Sequence, residues 1–272
     1  MKTIFITGAS AGLGKATAKL FHKNGWRIIA TMRNPEKENK LTAFENIKIL
    51  KLDVTNQDEI NETIENLLKN ETIDVVFNNA GFGLSGSLEA CSNEAIEDQI
   101  NTNLTGVIRV SKAFIPYFKA KRSGMFITTT SIFGIVSCPL ASVYNATKWA
   151  LEGLSESMSY ELAPFNITVK TVAPGGIKSS FVNGVKAFPN PEYDAVQEKL
   201  IDLFFNNNTL LDFSEPEVIA DVVYEAATDG KNQFRYMAGA DAVKIAGQLS
   251  EMGNENFRKH LGALLNIEFP GN

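Results

Sequence analysis

Two side chains four residues apart have the chemistry to move a proton. They are Tyr144 and Lys148 in "SVYNATKWALEG", residues 142–153. A free phenol titrates near ~10 and is a poor base at neutral pH. A neighbouring cation favours the phenolate and so lowers that value. On a helix, residues i and i+4 share one face about a turn apart. Lys148 would then act on the phenol by charge and donate hydrogen bonds. The same pair also fits the polar edge of an ordinary amphipathic helix. Ser131 lies thirteen positions upstream, at the end of the strand-like run "GMFITTTS". A hydroxyl there can hydrogen-bond a carbonyl oxygen and stabilise a developing alkoxide. Ahead of Gly134 it would equally serve a turn.

A second group of residues has the chemistry to hold phosphate. "TGASAGLG" places Gly8, Gly12 and Gly14 between a strand-like run, "KTIFITG", and the helix-like "GKATAKLFHKNG". Glycines there let the backbone bend tightly and approach a ligand. The N–H groups and dipole of the following helix favour a pyrophosphate. A plain turn would account for the glycines as well, but strand-loop-helix is the context that dinucleotide binding requires.

The elements that must position these residues alternate. "WRIIAT", "IKILKLDVT", "IDVVFNNAG", "GMFITTTS", "ITVKTVAPGG" and "QFRYMAG" read as further strands. Helical stripes lie between most of them, such as Ile60, Ile64, Leu67 and Leu68 in "DEINETIENLLKN". Repeated strand-helix-strand units with near-continuous apolar strands predict an α/β fold, a doubly wound parallel sheet of about seven strands with helices on both faces. The rhythm fails over residues 177–213, where Phe181, Phe188, Tyr193, Phe204, Phe205 and Phe213 are set among prolines and no clear strand. The expected organisation is a single Rossmann-type domain, 1–272, with a substrate-binding insert or lid at 177–213.

Composition narrows the function classes. The chain has 272 residues, 44% hydrophobic and 21% charged, with a formal net charge of -5. That is a globular profile. Its acidic balance argues against nucleic acid as a partner, since phosphate binding wants a basic face. Cys91, Cys138, His22 and His260 are isolated and in no metal-ligand spacing, so no metal is expected. No apolar run reaches the ~18 residues of a membrane span, and a cytoplasmic location is the default expectation.

The spacing T-G-x-x-x-G-x-G resembles the short-chain dehydrogenase/reductase superfamily. The resemblance continues in order through "NNAG" (78–81), "NLTG" at Asn103, Ser131, Tyr144 with Lys148, and "PGGIKS" (174–179). It implies a catalytic set of Asn103, Ser131, Tyr144 and Lys148, in which Asn103 interrupts a helix and holds a water linked to the lysine. It implies a cofactor site built from Gly8, Ser10, Gly12, Leu13, Gly14, Arg33, Asp53, Val54, Asn79, Gly81, Tyr144, Lys148, Pro174, Gly175, Ile177 and Ser179. Met32 stands where NAD-using members of the family carry aspartate. Arg33 follows it and could pair with a 2′-phosphate, so NADP(H) is favoured over NAD(H); a solvated loop arginine is the plainer alternative.

The activity implied is hydride transfer between nicotinamide and the carbonyl or secondary alcohol of an apolar substrate, with Tyr144 as general acid/base. Phe82, Leu84, Phe133, Val136 and Leu140 join the phenylalanines of the insert as candidate pocket lining. The alternative is a catalytically silent NADP(H)-sensing relative acting through partners, which would be expected to lack the tyrosine or the lysine. By the same resemblance, subunits pair into a homodimer or homotetramer through the helices carrying Asn103 and Tyr144, with Trp149 and Leu151 available for contact.

Overall fold

The structure, a computed structural model, describes residues 1–206 and 210–271, and the side chains of all of these but 182 and 183. In chain order its main elements are β1 (Thr3–Ile6), α1 (Gly12–Lys23), β2 (Arg27–Met32), β3 (Ile47–Lys51), α2 (Gln57–Leu68), β4 (Val75–Asn78) and β5 (Leu84–Gly86). Then come α3 (Asn93–Ile100), α4 (Gly106–Lys121), β6 (Gly124–Thr129), α5 (Ser142–Leu162), β7 (Ile167–Pro174), α6 (Ser180–Asn183) and β8 (Lys186–Phe188). The chain continues with α7 (Asp194–Ile201), α8 (Pro216–Thr228), β9 (Arg235–Ala238), α9 (Ala240–Met252) and α10 (Asn254–Leu264).

Among the described residues seven strands form one sheet in the order β3-β2-β1-β4-β6-β7-β9, all pairs parallel. β1, β4 and most of β7 are buried without alternation, as strands covered on both faces must be. One apolar layer joins Ile4, Ile6, Phe21 and Ile28 to Ile219 and Val223 of α8. The other joins Phe5, Ile29 and Val76 to Ile60 and Ile64 of α2, Phe114 of α4 and Met158 of α5. The strand order reverses between β1 and β4, so the loops after these two strands open a crevice at the carboxyl edge of the sheet, where such folds bind ligands.

Two expectations about local structure change. The helix interruption near Asn103 is a π-helical turn, Asn101–Thr105, running without a break from α3 into α4. A widened turn of this kind is common at functional sites. The insert is not free of strand either. β8 pairs in parallel with β5, Leu84 opposite Lys186 and Gly86 opposite Phe188, and this ties the first half of the insert to the loop after β4. Residues 207–209 of the insert lie outside the described residues.

Candidate active site

α1 begins immediately after the glycine loop, and its N-cap, Ala11, has no side-chain acceptor to cover the first-turn N–H groups. Such groups are the ready partners of an anion. Gly8 has φ +68°, and a Cβ there would lie 2.8 Å from Ala80 Cα. Gly12 has φ +51° beside the Ser179 side chain. At Gly8 the backbone of Ala80 leaves room for glycine only, and at Gly12 glycine takes the left-handed conformation with least strain. Gly14 is different: it does not line the cavity, and a Cβ on it would lie 2.6 Å from Asn79 Nδ2. Its role is to let α1 pack against the strand ends.

A cavity of about 540 Å³ runs from this loop across the sheet edge. Its wall includes Gly8, Ser10, Gly12 and Leu13 at the glycine loop; Arg33, Asp53 and Val54 beyond β2 and β3; and Asn79 and Gly81 after β4. It continues past Ser131, Tyr144 and Lys148 to Pro174, Gly175, Ile177 and Ser179. Of the predicted catalytic and cofactor residues, Gly14 and Asn103 alone stand off this wall. The uncapped helix start and the glycine cradle fit a dinucleotide pyrophosphate. Arg33 is exposed at the far end, on a loop with no carboxylate before Glu36. Asp53 accepts from Thr55 N and Oγ1 at 2.9 and 2.7 Å, so it closes a turn as well as lining the cavity.

Tyr144 stands in the first turn of α5, half-buried, with its ring 6.1 Å from that of Phe181. Burial pushes its phenol up to about 12, and the Ser131 hydroxyl pulls the other way. Lys148 is buried one turn on; its Nζ lies 5.7 Å from the Tyr144 ring centre and donates to Thr129 O at 2.8 Å. Burial lowers this amine to about 8, against the pull of Glu152. In this arrangement burial is the largest influence on the phenol, and the lysine amine is bonded to a carbonyl. Ser131 Oγ accepts from Phe133 N at 3.1 Å, and its hydroxyl also bonds the Tyr144 phenol. Asn103 is buried, and its amide binds the backbone of Phe82 twice, Oδ1 from Phe82 N at 3.0 Å and Nδ2 to Phe82 O at 2.9 Å. It fixes the loop that carries Gly81 and Phe82.

Phe82 and Phe133 line the cavity with Phe181, Phe204, Phe205 and Phe213 of the insert, whereas Leu84, Val136, Leu140 and the insert's Phe188 pack elsewhere. Residues with no sequence motif also join the site. Gln99 donates to Phe82 O beside Asn103, and Glu152 sits below Lys148, held by Arg235 at 2.9 Å. Leu151 is buried and unavailable to a partner; Trp149 is exposed.

The chain belongs to the short chain dehydrogenase family, whose sequence model matches residues 2–189. It is an oxidoreductase. It is 38% identical over 181 residues to 3-ketodihydrosphingosine reductase of Bacteroides thetaiotaomicron, covering 66% of this chain and 65% of that one. It is 34% identical over 238 residues to an uncharacterized oxidoreductase of Schizosaccharomyces pombe, 85% of this chain and 100% of that one. Among solved structures, a short-chain dehydrogenase from Streptomyces avermitilis superposes with TM-score 0.84 at 28% identity, over 96% of this chain and 97% of that one. ElxO with NADP bound superposes with TM-score 0.76 at 28% identity, over 89% and 99%. Among the described residues no helix is long and apolar enough to cross a membrane, and no cluster of metal-ligand side chains occurs.

Proposed function

We propose that the chain transfers a hydride between NADP(H) and the carbonyl or secondary alcohol of an apolar substrate, with Tyr144 as the proton donor in reduction. The observation that carries this reading is the meeting of Tyr144, Lys148 and Ser131 on the wall of one cavity with the glycine cradle. The bound nicotinamide supplies or accepts the hydride. Ser131 turns its hydroxyl, bonded to the phenol here, to the substrate oxygen and orients the carbonyl. Tyr144 holds its proton at the phenolic oxygen and gives it to the oxygen that becomes the alcohol. Burial keeps the phenol protonated through the neutral range, the form that donation requires. Lys148 supplies positive charge beneath the phenol and a donor toward the nicotinamide ribose. Asn103, through the Phe82 backbone, holds the rim.

Arg33 supports the phosphorylated cofactor, as an exposed guanidinium where a carboxylate would repel a 2′-phosphate. NADP bound to ElxO agrees with it. The phenylalanines around the insert support an apolar substrate of some bulk. 3-Ketodihydrosphingosine reductase, and the human retinol dehydrogenase 8 at 34% identity over 189 residues, are names consistent with that class. The test is a panel of ketones and aldehydes with NADPH and NADH, followed by loss of reduced-nicotinamide absorbance. Apolar ketones or aldehydes turned over with NADPH support the reading. No turnover of any carbonyl with either cofactor opposes it.

A further inference from the structure

Asp241 is a buried carboxylate that no reacting group touches. It lies in the first turn of α9, just past the end of β9, and is 3% exposed. Three backbone N–H groups converge on it: Gly176 at 2.7 Å and Asp212 at 3.3 Å on Oδ2, and Ala242 at 2.8 Å on Oδ1. Only the last belongs to its own helix. A residue that merely started α9 would need no donors from two other segments.

Those segments are the two sides of the cavity. Gly176 lies in the loop after β7, whose Pro174, Gly175 and Ile177 line the proposed cofactor end. Asp212 lies at the C-terminal end of the insert, between the lining residues Leu211 and Phe213. Further bonds stitch the two together, Ser214 N to Gly176 O at 3.0 Å and Lys178 N to Ser214 O at 2.9 Å. The backbone has also been fitted around the carboxylate. A Cβ on Gly175 would fall inside it, and one on Gly239 would lie 2.8 Å from Oδ1. Burying a charge is costly unless N–H groups surround it, and here they do.

We infer that Asp241 is a positioning residue: it holds the loop after β7 and the end of the insert in one fixed relation, so that the dinucleotide and substrate halves of the cavity form together. This rests on the dinucleotide reading above. The substitution Asp241→Asn keeps the shape but turns an NH₂ group toward an N–H donor. Binding is read by NADPH fluorescence titration, and the loops by hydrogen exchange at the Gly176 and Asp212 amides in the free protein. The control is Ile245→Ala, a buried apolar change in the same helix.

Asp241→Asn is expected to weaken NADPH about 10-fold, the scale of one charge-assisted hydrogen bond, and to speed exchange at both amides. KM should rise for NADPH and for the carbonyl substrate, with kcat at saturation changed less than about threefold. Ile245→Ala should lower the melting temperature and leave NADPH affinity within about twofold. Gly239→Ala crowds the same carboxylate and gives a second reading if Asp241→Asn does not fold. Wild-type affinity in the Asp241 variant overturns the inference, as does a loss of affinity in both variants that simply follows melting temperature. Fast exchange with unchanged affinity also overturns the link to binding. If the wild-type protein binds neither NADPH nor NADH, the dinucleotide reading itself falls and takes this inference with it.

Discussion

At Tyr144 and Lys148, burial acts on two protons in opposite directions. It raises the phenol to about 12 and lowers the amine to about 8, because each shift favours the neutral form. Tyr144 therefore stays protonated through the neutral range, and Lys148 is the group whose charge changes there. The ammonium exists below about 8 and is lost as pH rises through that value. In reduction, kcat/KM of the free enzyme should be level below pH 8 and fall above it; a pH-rate profile level to pH ~10 would remove Lys148 from the account. Arg33 makes a second prediction at this scale. Arg33→Ala should raise KM for NADPH roughly 10-fold or more and change that for NADH less than about twofold, by steady-state kinetics with both cofactors. Equal effects on the two would show that Arg33 does not read the 2′-phosphate. The residues of this scale were the most legible in sequence. Tyr144, Lys148 and the glycines owe their placement to spacing along one helix or one loop. Glu152, Gln99 and Asp241 were not legible, because their partners Arg235, Phe82 and Gly176 come from remote segments.

Elements decide how the cavity is closed. β5 and β8 are three residues each, too short to show a period, and they pair across a large separation in sequence. For that reason the insert read as irregular. β1, β4 and β7 were legible because they are buried on both faces and read as apolar runs. The β5–β8 pair is held close at Gly86, where a Cβ would lie 2.6 Å from Phe188 O. Gly86→Ala should part these strands, raise KM for the apolar substrate several-fold, and speed limited proteolysis within 177–213. NADPH affinity, read by fluorescence titration, should change less than about twofold, since the glycine cradle lies on another loop. Loss of cofactor binding with intact substrate KM would contradict this division.

Across the whole molecule, β7 serves stability near its start and the cavity at its end. Lys170 is buried and bonds Ala226 O, Asp229 Oδ1 and Tyr236 OH at 2.9, 2.9 and 3.0 Å. Burial raises the Asp229 carboxyl, but Tyr236, Lys170 and the Lys231 N–H outweigh it and bring it down to about 2. Its contribution is thus present above the ~3.9 of an unfolded aspartate and is lost as pH falls through about 2. Lys170→Met leaves Asp229 without its buried cation, with only the exposed Lys231 Nζ at 3.9 Å. It should cost about 3–5 kcal/mol in urea unfolding and leave kcat of the folded enzyme within about twofold. A stable variant, or a folded but inactive one, would break this separation of roles.

On the proposed reading one phenolic hydroxyl, set beside a buried amine on the wall of the cavity, delivers the proton. Tyr144→Phe removes that hydroxyl and little else. Turnover of a carbonyl substrate should fall by about 10²–10⁴, while NADPH titrated by fluorescence binds within a few-fold of wild type. A Tyr144→Phe enzyme that oxidises NADPH at the wild-type rate would contradict the account.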